Sequence, residues 1–163
     1  MYTYILVRKN QRGFTLLLAT LVASTVLAIG SAIYTLAAKE VRLSSLGRDS
    51  QFAFYAADTG AECALFWDVR YSYFATTSPA TVIPPDPRCD TQEINATGRT
   101  GFYPQTMIFR FEPGGRCVDV TVAKTQDSTT QAIKTIIHAD GYNNPCTGLN
   151  DPNTLQRSVE IHY

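Results

Sequence analysis

The chain has 163 residues, 45% hydrophobic, 17% charged and 11% aromatic, enough for one domain and too few for two well-packed ones. Fourteen basic residues balance fourteen acidic ones, so the formal net charge is zero. That argues against the basic excess of a dedicated nucleic-acid binder and against the one-sided charge of a disordered tail.

The even average hides a segregated N-terminus. No charged residue occurs from position 13 to position 38, a run of 26 residues. As a helix this run is roughly 39 Å long, enough to cross a bilayer. Arg8, Lys9 and Arg12 precede it, and Lys39 and Glu40 follow at once. Thr15, Thr20, Ser24, Thr25, Gly30, Ser31 and Thr35 are scattered through it, residue types that suit close helix–helix packing in an apolar medium. A cleaved secretory signal has an apolar stretch of about 7–15 residues, and this one is too long. A membrane anchor fits the length, with the basic flank on the cytoplasmic side.

Around Gly13 the sequence reads Lys9-Asn10-Gln11-Arg12-Gly13-Phe14-Thr15-Leu16-Leu17-Leu18. It resembles the processing signal of type IV pilins and of the pseudopilins of type II secretion: a basic leader ending in Gly, then Phe-Thr-Leu and a long apolar helix. The resemblance implies that a membrane prepilin peptidase cuts after Gly13, on the cytoplasmic side, and N-methylates Phe14. Arg8, Lys9, Arg12, Gly13 and Phe14 are then the processing residues. Residues 1–13 form the leader, and the mature chain keeps 11 basic against 14 acidic residues, a net charge of −3. Residues 14–38 form the membrane and filament-core half of the helix, and the partners are the peptidase, the membrane and other pilin subunits.

One departure matters for assembly. Most pilins carry Glu at the fifth mature position, where it meets the Phe ammonium of a neighbouring subunit in an apolar environment. The fifth mature residue here is Leu18, and the next acid is Glu40. The family includes subunits without that Glu, notably the minor pseudopilin thought to cap the tip. Leu18 together with Phe14 therefore shifts the expectation from a shaft subunit to a tip or initiation subunit. A shaft subunit that dispenses with the Glu stays open.

The helical pattern runs on without proline to about Val69, some 56 residues from Phe14. Residues 39–70 form an amphipathic half, with Leu43, Leu46, Ala53, Ala57, Gly60, Ala64 and Trp67 on one stripe that a sheet could approach closely. Lys39, Arg42, Arg48, Asp49 and Glu62 lie mostly off it. The segment containing Ala56-Ala57-Asp58-Thr59-Gly60 is similar to a pattern in the lower helix of some minor pilins and pseudopilins, with Asp58 where Glu is usual.

Residues 71–163 form the globular head. Pro79, Pro84, Pro85, Pro87 and Pro104 make residues 71–105 an irregular connection, with one short strand near 93–97. Asn95-Ala96-Thr97 is a glycosylation sequon, weak evidence by itself. Residues 106–163 alternate as an antiparallel meander. Strands are expected at 106–112, 117–125, 131–140 and 157–163, with turns at 113–115 and 126–130 and a loop at 141–156. The expected fold is α+β, a long N-terminal helical spine packed against a roughly four-stranded antiparallel sheet, the architecture of pilins.

Cys63, Cys89, Cys117 and Cys146 are even in number, contain no CxxC and lie on the outer side assigned by the basic leader, so disulfides are expected rather than zinc. Cys117 opens one strand and Cys146 follows the end of its hairpin partner. This favours Cys117–Cys146 and leaves Cys63 to Cys89, although the sequence leaves the other two connectivities open. The only histidines, His138 and His162, fall at outward strand positions. No G-x-S-x-G, H-E-x-x-H or Walker loop occurs. No catalytic residue, cofactor or metal is expected. The function expected is a non-enzymatic filament subunit. It would span the cytoplasmic membrane once, head outward, and then enter a surface pilus or a periplasmic pseudopilus. The alternative is a single-pass anchored extracytoplasmic binding protein that never polymerises.

Overall fold

A computed structural model describes residues 12–76 and 87–163. The chain falls into two compact units, residues 1–45 and 46–163. Helix α1, Arg12–Tyr71, runs through both as 60 residues without a break. The fold is α+β, one long N-terminal helix and a four-stranded antiparallel sheet. Part of the connection expected to be irregular, residues 77–86 with Pro79, Pro84 and Pro85, lies outside the described residues, as do Arg8 and Lys9.

From Phe14 to Ala38 α1 carries no charged residue and its side chains are exposed. It is long and apolar enough to cross a membrane.

In the second unit the helix packs on the sheet. The sheet order is β3 (Gln105–Phe111), β4 (Val118–Gln126), β5 (Ile133–Tyr142), β6 (Gln156–His162), each antiparallel to the next. Before it, β1 (Arg88–Cys89) and β2 (Gln92–Glu93) form a small hairpin. Alternation along the strands decides which side chains go inward. Met107, Phe109 and Phe111 of β3, Val118, Val120 and Val122 of β4, and Ile137 and Ala139 of β5 are buried. They meet Gly60, Ala61, Ala64 and Trp67 of the helix, with Phe74 beyond its end stacked on Phe109 at 5.7 Å between ring centres, and Ala57 and Ala53 are buried one and two turns before Gly60. Val159 and Ile161 of β6 pack against this core partly buried.

The small residues set the distance between layers. A Cβ at Gly60 would stand 2.6 Å from Val118 Cγ2 and 3.0 Å from Val120 Cγ2. Gly141 is seated directly on the backbone of Ala53 and Ala57, with no room for a Cβ. This corrects the sequence expectation at one boundary. Position 141 reads as the start of a loop because Gly breaks strands, yet β5 continues through it to Tyr142, since only Gly fits against the helix there.

The stripe is also shorter than its periodicity suggests. Leu43 and Leu46 are exposed, because the first helix residues that the sheet reaches are Ser50, bonded by Arg157 of β6, and Ala53. The single strand expected near 93–97 is instead β2, ending at Glu93, followed by an isolated bridge from Thr97 to Ile108. At the far end of the sheet Ile133, an inward position by alternation, is half exposed.

Candidate functional site

The apolar segment of α1 is the first candidate. The Gly13–Phe14 bond lies in the first turn of α1, which starts at Arg12. Phe14 is 71% exposed and Leu18 is 53% exposed. Leu16, Leu17, Leu21, Val22, Val26, Leu27, Ile29 and Ile33 are exposed with them. Five hydroxyls in this stretch are turned back on the helix. The hydroxyls of Thr20, Ser24, Thr25, Ser31 and Thr35 donate to the carbonyls of Leu17, Leu21, Val22, Ala28 and Ala32, at 2.8–2.9 Å. Gly30 has nothing within 4 Å of where a Cβ would stand, so no contact among the described residues requires a glycine there.

The four cysteines pair as Cys63–Cys89 and Cys117–Cys146. The first bridge ties the helix to the β1–β2 hairpin, and Trp67 Nε1 reinforces it by donating to Arg88 O at 3.0 Å. The second ties the start of β4 to the loop after β5.

A buried polar cluster joins the end of the helix to the sheet. Lys124 Nζ lies 2.5 Å from Asp68 Oδ2 and donates to Thr135 Oγ1 at 3.1 Å. The Tyr163 hydroxyl donates to the same Asp68 oxygen at 2.6 Å. Asp68 and Lys124 are both 7% exposed. Burial, then the bond to Asp68, pushes the Tyr163 phenol above its usual range. With every charge answered by a fixed partner, the cluster works as a clasp and presents no free nucleophile or base. Sequence reasoning missed it. The available signal was the alternation of β4, which puts Lys124 on the inward side with Val118, Val120 and Val122.

On the opposite, outward face of the sheet both histidines reach one carboxylate. His138 Nδ1 is 3.0 Å from Glu160 Oε2, and His162 Nε2 is 2.6 Å from Glu160 Oε1. Hydrogen bonds from His162 and His138 hold the Glu160 carboxyl below its usual range. His138 Nε2 faces Asp140 Oδ1 at 3.2 Å.

A shallow cleft of about 450 Å³ lies beside the helix, between Phe52, Tyr55, Thr59, Asp90 and Arg116. The Arg116 guanidinium stacks 3.8 Å above the Phe52 ring.

No protein-family model, curated protein or solved structure matches the chain.

Proposed function

We propose that the chain is a non-enzymatic structural subunit of a type IV pilus or a related secretion pseudopilus. It is made as a precursor and cut between Gly13 and Phe14 by a prepilin peptidase. The observation that carries this reading is the exposed apolar half of α1, continuous with a half that is seated on a disulfide-bonded sheet.

Gly30 supports the reading. A glycine inside a helix costs about 1 kcal/mol relative to alanine. Among the described residues nothing stands within 4 Å of a Cβ placed at Gly30, and a neighbouring helix in close approach would account for the glycine. The hydroxyls closed onto their own helix suit either lipid or the apolar centre of a bundle. Before assembly the subunit spans the cytoplasmic membrane once, with the head outside. Its partners are other subunits, met through the N-terminal helix.

Leu18 narrows the proposal to a tip or initiation subunit. The chain presents the Phe14 ammonium to a neighbour but offers no carboxylate of its own in the first turns.

The test is the mature N-terminus. The full chain is produced with a prepilin peptidase, extracted from membranes and mapped by mass spectrometry. The expected terminus is Phe14, free or N-methylated, and Gly13→Leu should leave the leader in place. An intact Met1, or unchanged maturation of Gly13→Leu, would overturn the proposal.

A further inference from the structure

We propose that Asn95 is a modification site, the acceptor of an N-linked glycan added on the outer side of the membrane. The proposal rests on the head lying outside that membrane, as proposed above. Asn95-Ala96-Thr97 is the one Asn-x-Ser/Thr sequence of the chain, and its middle residue is not proline. The fold adds how these side chains are presented.

Residues 92–97 alternate in burial. Ile94 is fully buried, Gln92 and Ala96 are partly buried, and Glu93, Asn95 and Thr97 are exposed. Side chains two residues apart on such a stretch share a face, so the Asn95 amide and the Thr97 hydroxyl are offered to solvent together. The stretch is held from behind. The Ile94 N–H donates to Pro87 O at 2.8 Å, and Ile94 O accepts from the Tyr73 hydroxyl at 3.3 Å. Thr97 exchanges two backbone hydrogen bonds with Ile108, each 2.9 Å.

The fold makes no use of the Asn95 side chain, which has no hydrogen-bond partner among the described residues. The asparagines of the loop after β5 differ. Asn143, Asn144 and Asn153 donate their side-chain amides to Asn153 O, Thr154 Oγ1 and Asp151 Oδ1. Those three hold a loop together, whereas Asn95 leaves its amide open to an enzyme.

The donor class is a glycan joined through its anomeric carbon to a lipid pyrophosphate. Asn95 Nδ2 bonds to that carbon as the bond from carbon to the phosphate oxygen breaks. The electron pair leaves with the lipid pyrophosphate, and one amide proton passes to a base of the transferase. Thr97 supplies the hydroxyl by which the acceptor sequence is recognised and is not itself modified. The glycan would stand beside β3, an outer strand of the sheet, where a bulky solvated group guards a free edge.

The experiment uses the full chain from the cells that make it, extracted from membranes with disulfides intact. Its proteolytic peptides are mapped by mass spectrometry, with fragmentation that keeps sugars attached. The expected result is a glycopeptide with the sugar on Asn95. The sugar should be lost in Asn95→Gln and in Thr97→Val and retained in Thr97→Ser, with both disulfides formed in all three. Thiol alkylation without reduction separates this proposal from the outward head. A disulfide-bonded wild type with a bare Asn95 overturns the glycan alone. Four alkylated cysteines with a bare Asn95 overturn the outward head, and the glycan with it. Sugar that survives Asn95→Gln also overturns the assignment.

Discussion

Lys124 and Asp68 lie 56 residues apart in sequence and 2.5 Å apart in space, and they close the end of the helix against the middle of the sheet. Both are almost wholly removed from water, so each charge depends on the other. Lys124→Met leaves the Asp68 carboxylate buried with only the Tyr163 hydroxyl for company. The expected loss is about 3–5 kcal/mol of head stability. The double variant Lys124→Met with Asp68→Leu should recover a large part of it, because the stranded charge is gone. Denaturant unfolding followed by the fluorescence of Trp67, the single tryptophan, reads both. A double variant as unstable as the single one would count against the clasp.

Tyr163 gives the head a defined alkaline weakness. Its proton is held more tightly in the folded chain than in the unfolded one, chiefly by burial and then by Asp68. A group whose folded pKa is raised stabilises fully below its unfolded value, about 10, and loses that contribution as pH rises beyond it. The midpoint of unfolding should therefore fall more steeply above about pH 10 in the wild type than in Tyr163→Phe. Superimposable alkaline curves would rule the effect out.

Gly141→Ala tests the closest approach of sheet to helix. The new methyl group would meet the Ala53 carbonyl and the Ala57 amide, backbone atoms that cannot step aside as a side chain would. Overpacking of this kind costs about 1–3 kcal/mol, occasionally more. A thermal melt of the variant that matches the wild type would show that the helix can slide away.

The two bridges should be unequal only in where the damage appears. Removing either pair, as Cys63→Ala with Cys89→Ala or as Cys117→Ala with Cys146→Ala, should cost about 2–5 kcal/mol. Loss of Cys63–Cys89 should free the β1–β2 hairpin first, and loss of Cys117–Cys146 the loop after β5. Hydrogen exchange measured peptide by peptide separates the two, and identical exchange maps for both variants would contradict it.

Leu18→Glu probes assembly. A tip or initiation subunit should be scarce in sheared filaments and labelled at one end. The added carboxylate should let it enter the shaft more often wherever a partner ammonium is in reach. Where none is, a buried unpaired carboxylate costs several kcal/mol, and the variant should accumulate less. Quantitative mass spectrometry of filaments with immunogold labelling gives the answer. Wild-type labelling along the whole shaft at near-unit stoichiometry would contradict the tip assignment.

Local pattern carried much of this fold in the sequence. A helix without proline and four alternating runs set the elements within a few residues, and the position of Cys117 and Cys146 at matching ends of a hairpin favoured the bridge that forms. What stayed hidden depends on contacts between distant segments. Asp68 looks like one more polar residue at a helix end until β4 brings Lys124 to it. Gly141 looks like a breaker until the helix is laid on it. Leu43 and Leu46 share the periodicity of the buried stripe, and periodicity alone does not say where the sheet stops. His138 and His162 both read as outward residues. That they converge on Glu160 follows from the β5–β6 register, which no single strand reveals.

The five serine and threonine hydroxyls folded back onto carbonyls of their own helix have a consequence for traffic between environments. Each of these five donors, already engaged internally, would keep its partner if the helix passed from lipid tails to a protein bundle. None of the five would have a hydrogen bond to break on departure or form on arrival. For these hydroxyls such a passage would be chemically symmetric, the same in either direction.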